Sequence, residues 1–252
     1  MKHLLYILSF LFCFGVFAQN NALFEQGNAL YNDGKYAEAI EKYTTVLKTK
    51  KHSAELYYNL ANAHYKLNNV APSIFYYEKA LQLAPHDKDI KNNLAFAKNM
   101  TVDAISVVPE VGFSKLFKNI THSMSFDGWA KTTIGLVFAF VILFLLYYFA
   151  YSTGRKRLAF IGSILSLISL CITLAFAFQK YALDKKDNPA IVFAQESQIK
   201  SEPNARGEEV FRLHEGTKVQ VIDSVNNWKK IKLSDGQTGW ITDKDIKILT
   251  AF

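Results

Sequence analysis

At 252 residues, half of them hydrophobic and 14% aromatic, the chain has room for two small soluble domains and a membrane segment. Its formal charge of +7 could fit nucleic acid, but the excess is local: residues 20–99 carry 10 Lys/Arg against 8 Asp/Glu, residues 189–252 carry 9 against 9, and residues 100–188 carry 9 against 5. No folded domain owns a basic face, which argues against nucleic-acid binding; the surplus lies beside the longest apolar runs, where anionic lipid headgroups would meet it.

The chain opens with MKHLLYILSFLFCFGVFAQN. Lys2 forms a positive start, Leu4–Phe17 an apolar core, and Val16 and Ala18 supply the small residues before a cleavage point, so residues 1–18 read as a signal peptide. An uncleaved anchor is the alternative. Cys13 would leave with the signal and Cys171 lies in an apolar run, so the mature chain has no intrachain disulfide and no cysteine metal site. His52, His64, His86, His122 and His214 share no ligand spacing. No metal or cofactor is expected.

Residues 20–53 and 54–87 align at a period of 34: Gly27 with Ala61, Ala39 with Ser73, Tyr43 with Tyr77, Leu47 with Leu81. This resembles the tetratricopeptide repeat. Gly27 and Ala61 are small where two helices cross, Tyr43 and Tyr77 fill the space between helix pairs, Asp33-Gly34 makes a turn, and Pro85 ends the second repeat. Residues 88–99 repeat the first-helix pattern and read as a capping helix, giving a repeat domain over 20–99. Such domains hold an extended peptide or a partner helix on the surface of their first helices. The resemblance places Asn28, Tyr31, Asn59, Asn62, Tyr65, Lys66 and Asn93 there. Asn28 and Asn59 match the two asparagines of carboxylate-clamp repeats, but Phe24, Asp89 and Asn93 stand where those repeats carry cations. The implied ligand is therefore a neutral peptide or helix; the alternative is that these side chains only solvate a face.

Residues 100–128 form a linker. Within it, GFSKLFKNITHSM puts Phe113, Leu116, Phe117, Ile120 and Met124 on one helical face with Lys115 and Lys118 beside it. This helix either lies on a membrane surface or packs on the repeats. Residues 132–151 and 158–178 follow, 20 and 21 residues without a charge, each long enough for a transmembrane helix. Arg155, Lys156 and Arg157 lie in the short 152–157 connection. With the amino-terminal segment exported, that connection is cytoplasmic, in keeping with the positive-inside bias.

From residue 189 to 249 the pattern is short β runs: TKVQVID turns Val219 and Val221 inward, WKKIKL carries Trp228, Ile231 and Leu233, and Asp235-Gly236 makes a hairpin turn. The order resembles bacterial SH3-like domains. Trp228 reads as core, and Trp240 is the candidate for an aromatic surface. No paired carboxylates, Ser-His-Asp order or phosphate-binding glycine loop supports catalysis.

The expected architecture is a multidomain membrane protein: an all-α tetratricopeptide solenoid, a two-helix transmembrane hairpin and an all-β SH3-like barrel. Signal, repeats, two spans and terminal barrel together resemble BatE-type proteins of the bacterial aerotolerance group. That resemblance implies a multi-pass protein of the bacterial inner (cytoplasmic) membrane with both soluble domains periplasmic, and a non-enzymatic scaffold in an envelope-stress complex. Its implied partners are membrane proteins with von Willebrand factor A-type domains, other Bat components and a cytoplasmic MoxR-type AAA+ ATPase. A peptidoglycan-binding protein acting through the barrel is the alternative.

Overall fold

The computed structural model describes residues 21–106 and 112–249; the signal-peptide expectation lies outside them. The chain forms two compact units. Among the described residues, one joins 21–106 with 188–249, and the other is 112–187 between them.

The first unit begins with five helices: α1 over 21–32, α2 Tyr36–Lys48, α3 Ala54–Lys66, α4 Val70–Leu83 and α5 Lys88–Lys98. The period of 34 reappears in the backbone. Gly34 and Asn68, one repeat apart, end α1 and α3 in the left-handed region, with φ of +76° and +57°. Ser53 caps α3 by accepting from the Leu56 amide at 3.1 Å, and Asp87 caps α5 through the amides of Asp89 and Ile90. Pro72 sits in the first turn of α4, where no intrahelical donor is lost. At Gly27 an added Cβ would stand 2.5 Å from the Tyr43 ring, so the close crossing requires glycine. Tyr43 and Tyr77 are fully buried between successive helix pairs.

Seven strands complete this unit: β1 Pro189–Val192, β2 Glu196–Lys200, β3 Glu209–His214, β4 Lys218–Val225, β5 Trp228–Lys232, β6 Thr238–Thr242 and β7 Ile246–Ile248. They pair antiparallel in the order β3-β2-β6-β5-β4-β1-β7. Every strand sends a buried residue into one core, among them Val192, Ile199, Leu213, Val219, Val221, Ile231, Ile241 and Ile246. The sheet must curl around that core, as an SH3-like domain does. Gly239 lies under Ile199, whose Cγ2 would be 2.4 Å from an added Cβ.

The second unit holds α6 Phe113–His122, α7 Phe126–Phe149 and α8 Thr153–Lys186. Both α7 and α8 are long and apolar enough to cross a membrane. The helices do not stop where the apolar runs stop. Only residues 150–152 connect them, so the expected 152–157 loop is mostly helix and Arg155, Lys156 and Arg157 stand in the opening turns of α8. Helix α8 continues past Phe178 to Lys186 because nothing breaks it before Pro189, which disfavours helical backbone at the residue before it. Small and hydroxylated side chains form the contact between α7 and α8: Ala159, Ser163, Ser166 and Ala177 are buried, the Thr133 hydroxyl donates to Thr173 Oγ1 at 3.0 Å, and the Ser166 hydroxyl donates to the Leu136 carbonyl at 2.9 Å.

The repeats and the barrel, expected as separate domains, share a core. Ile191 and Leu249 join Tyr57, Ile74, Phe75, Tyr77 and Ile90 in one cluster, and the Phe193 ring meets Phe75 edge-on at 5.7 Å. Helix α4 therefore buries residues on two sides, including the carboxylate of Glu78, which lies between Lys98 at 3.0 Å and Lys218 at 2.8 Å. Burial raises the Glu78 pKa, but the two ammonium groups outweigh it and hold the carboxyl below its ordinary value. Gln82 Nε2 donates to the Leu249 carbonyl at 3.1 Å, and Lys247 Nζ lies 4.5 Å from the centre of the Phe75 ring. The chain leaving α5 adds a second clasp: Asp103 accepts from the His214 amide and Nδ1, both at 2.7 Å, and from the Thr217 hydroxyl at 2.6 Å. Here too burial pushes the carboxyl up, and these bonds bring it below the ordinary range.

Gly216 lies at the middle of the seam. An added Cβ would stand 2.8 Å from Thr101 Cγ2, 2.9 Å from Val70 Cγ1 and 3.0 Å from Ile74 Cδ1, on a backbone with φ of +87°. Gly216→Ala is expected to lower stability by about 1–3 kcal/mol, through overpacking added to backbone strain. Gly236→Ala, with φ of +94° and nothing within 4 Å, isolates the strain. Thermal unfolding of the detergent-solubilised chain should show the larger loss for Gly216→Ala; equal losses would show that the helices do not press on this turn.

Candidate functional site

The first helix of each pair, α1, α3 and α5, contributes to one surface, and all seven residues expected from the repeat resemblance lie on it. They line two adjoining hollows. One, of about 290 Å³, is formed by Asn28, Tyr31, Asn32, Tyr43 and Asn59. The other, of about 280 Å³, is formed by Tyr31, Tyr58, Asn62, Tyr65, Lys66, Tyr77, Asn93 and Phe96. Tyr31 stands in the wall of both.

The asparagines are organised by the repeat rather than as a clamp pair. In the first hollow, Asn28 Oδ1 accepts from the Tyr43 hydroxyl at 2.8 Å and from Asn59 Nδ2 at 3.0 Å. Exactly the same three-residue arrangement recurs 34 positions later: Asn62 Oδ1 accepts from the Tyr77 hydroxyl and from Asn93 Nδ2, the latter at 3.1 Å. Asn28 is thus the counterpart of Asn62, and Asn59 of Asn93. Asn93 Nδ2 also reaches the Tyr58 hydroxyl at 2.9 Å. These bonds fix which end of each amide points inward. Among the described residues no hydrogen bond reaches Oδ1 of Asn59 or of Asn93, which leaves two acceptors of the same kind, one repeat apart, for the N–H groups of a ligand.

The hollows are nearly neutral. Burial, followed by the neighbouring Tyr31, Glu25 and Glu55, pushes the Tyr43 hydroxyl up to about 12, and burial likewise raises Tyr77 and Tyr31. All three hydroxyls remain protonated donors at neutral pH. Lys66 is exposed and supplies the positive charge of the second hollow, whose edge is the half-exposed Phe96 ring. This combination can accept peptide backbone through amides and hydroxyls and an apolar side chain against Tyr31, Tyr58 and Phe96.

Sequence reasoning missed Tyr58, Asn32 and Phe96. Tyr58 and Asn32 flank residues already assigned, and their helical spacing from Asn62 and Asn28 was the available signal. In the barrel, Trp240 lies deeper than the expected surface position. Trp240 is 9% exposed, whereas Trp228 is half-buried. The register pairs Trp240 with both Lys230 and Lys200, so lysine stems on the neighbouring strands cover the ring, and Lys230 Nζ lies 5.9 Å from its centre. Trp228 begins β5, between Val225 of β4 and Thr242 of β6. The expected Trp240 surface is therefore closed.

Family models agree with both halves of the first unit. A TPR repeat model matches residues 27–68, a tetratricopeptide repeat model residues 54–87, and a bacterial SH3 domain model residues 198–247. The chain contains tetratricopeptide repeats and a bacterial SH3 domain. No curated protein matches it.

The repeated network makes a paired prediction. Tyr43→Phe and Tyr77→Phe each remove one donor while leaving Asn28 or Asn62 its amide partner, so each should cost about 1 kcal/mol of stability with the fold retained. Urea unfolding should show shifted midpoints and an unchanged slope for both; a loss confined to one would show that the two arrangements are not equivalent.

Proposed function

We propose that this chain is a non-enzymatic scaffold of the bacterial inner membrane, held by the α7–α8 hairpin, that gathers protein partners in the hollows of its repeat domain. The observation that carries this reading is the pair of neutral amide and tyrosine hollows with repeated open acceptors. It suits a peptide or helix without a charged terminus, and the site brings together no nucleophile, general base or paired carboxylates. The order of domains is that of Bat-type aerotolerance proteins. Membrane proteins with von Willebrand factor A-type domains and other Bat components are therefore the partner class to test first.

The shared core supports a definite topology. The repeats precede the hairpin and the barrel follows it, yet they pack together, so both belong on one side of any bilayer the hairpin enters. Arg155, Lys156 and Arg157 at the far connection assign that side, because the positive-inside bias puts them in the cytoplasm and the shared unit outside it. Single cysteines replacing Lys48 and Lys244, in a background without Cys13 and Cys171, are expected to react with a membrane-impermeant maleimide on intact cells. One replacing Lys156 should react only after the membrane is opened. Opposite behaviour of the first two would refute the hairpin.

For the hollows, Asn59→Ala should cost under about 1 kcal/mol of stability, since Asn28 Oδ1 keeps the Tyr43 hydroxyl, while Tyr77→Ala, which empties an inter-repeat position, should cost about 3 kcal/mol or more. Asn59→Ala combined with Tyr65→Ala should remove partners from crosslinked membrane pull-downs. Recovery should depend little on salt, as a neutral site requires. Undiminished recovery from the double variant would move the binding site elsewhere.

A second reading is peptidoglycan binding through the barrel, favoured by the partly buried Trp228 sharing an outward strand face with Lys230 and Lys232. Co-sedimentation of the solubilised full chain with purified peptidoglycan, lost on Trp228→Ala, would support it.

A further inference from the structure

Helix α6 exposes its apolar side. Phe113 is 81% exposed, and Leu116, Phe117 and Ile120 on the same face are also open, as is Met124 just beyond the helix. The residue it buries is Thr121, fully enclosed, whose carbonyl accepts from Trp129 Nε1 of α7 at 3.1 Å. One turn earlier, the Phe117 ring meets Phe176 of α8 at 5.3 Å, and Phe176 stacks on Trp129 at 5.1 Å. Two successive turns of α6 thus meet the hairpin at one level, so the helix crosses it rather than running along it. That level marks a boundary. On α7 the charge-free run begins at Thr132, just after Lys131, and on α8 the apolar run ends at Phe178, two residues before Lys180. Trp129 and Phe176 therefore lie within a few residues of the two places where the apolar surface stops.

The faces of α6 agree with that position. At 3.6 residues per turn, Thr121 lies about 80° around the helix from the apolar stripe, and Lys115 and Lys118 lie opposite the stripe. A helix whose side touches an upright hairpin at the edge of its apolar zone then points the stripe along the hairpin axis and the cations the other way. The stripe is apolar and exposed, as are many side chains of α7 and α8, and the sequence of α6 contains no acidic residue.

We propose that α6 lies in the phospholipid headgroup and acyl-chain boundary of the bilayer that the hairpin crosses, with Phe113, Leu116, Phe117 and Ile120 inserted and its cations beside lipid phosphates. This rests on the membrane reading of the hairpin. It makes α6 a third anchoring element, lying in the surface while the other two cross it.

The test uses the full chain without Cys13 and Cys171, reconstituted in vesicles of phosphatidylethanolamine and phosphatidylglycerol. An environment-sensitive fluorophore is placed on a cysteine at Leu116, Lys115 or Ile142, all exposed positions. The Ile142 probe should be quenched best by a deep lipid-borne quencher. The Leu116 probe should be quenched about twofold more by a shallow quencher than by a deep one, and be protected from aqueous iodide, while the adjacent Lys115 probe stays open to iodide. If the Ile142 probe is quenched and the Leu116 and Lys115 probes are equally open to iodide, α6 does not enter the lipid and this proposal fails alone. If the Ile142 probe is also open to iodide, the membrane reading fails and the proposal with it. Circular dichroism and a monodisperse elution profile check that each labelled chain is folded.

Discussion

A buried carboxylate on the second helix of the second repeat constrains everything around it. Glu78 sits on a helix face that a two-repeat array would leave open to water, and its charge is tolerated inside only because Lys98 from α5 and Lys218 from β4 both reach it. Removing one lysine would leave a poorly compensated charge beside Phe75 and Ile74. The capping helix and the barrel are thus tied to the same atom group, one through each carboxylate oxygen. Gly216 and Asp103 extend that junction: the first lets the barrel turn come down onto α4, and the second locks the exit from α5 to the turn that contains it. The solenoid end is covered by a cap and by another domain together.

Much of the fold was legible in the sequence because its signals are local. The period of 34 gave the helix pairs and the need for a small residue at Gly27, but the side chain pressed against that glycine is the Tyr43 ring, which the sequence placed only between helix pairs. Inward Val219 and Val221, and the Asp235-Gly236 turn, follow from alternation and backbone preference. The seam was not legible. Its hydrogen-bonded partners are 111 to 167 residues apart, and a carboxylate on α4 looks like any solvated charge until its two lysines are placed beside it. The helices of the hairpin run past the apolar segments for a related reason: loss of hydropathy marks where an apolar surface stops, whereas the helix runs on to Lys186, just short of Asn188 and Pro189.

The candidate site divides along the same line. Its residue types and their shared surface could be projected from the repeat, but the internal bonding could not. Reading Asn28 and Asn59 as a pair followed a clamp pattern, while the repeat itself pairs Asn28 with Asn62 and Asn59 with Asn93. The depth of Trp228 and Trp240 was not legible either, because β5 and β6 place both rings on the same outward face and only their lysine neighbours distinguish them. Among the described residues, no hydrogen bond or ion pair of the seam uses a side chain that lines the hollows, but Tyr77 belongs both to the shared core and to the wall of the second hollow. The hollows and the junction between repeats and barrel therefore meet at that ring.

The seam also dictates an order of events during synthesis. Phe75 and Glu78 emerge from the ribosome long before Lys218, Lys247 and Leu249, with the whole hairpin made in between. During that interval α4 presents an uncovered apolar face and a carboxylate with only Lys98 beside it. Such distant pairings close slowly and leave aggregation-prone surface open meanwhile. The nascent repeat domain therefore has a waiting state that ends only when the last strand arrives, and truncation anywhere in the barrel would strand the chain in it.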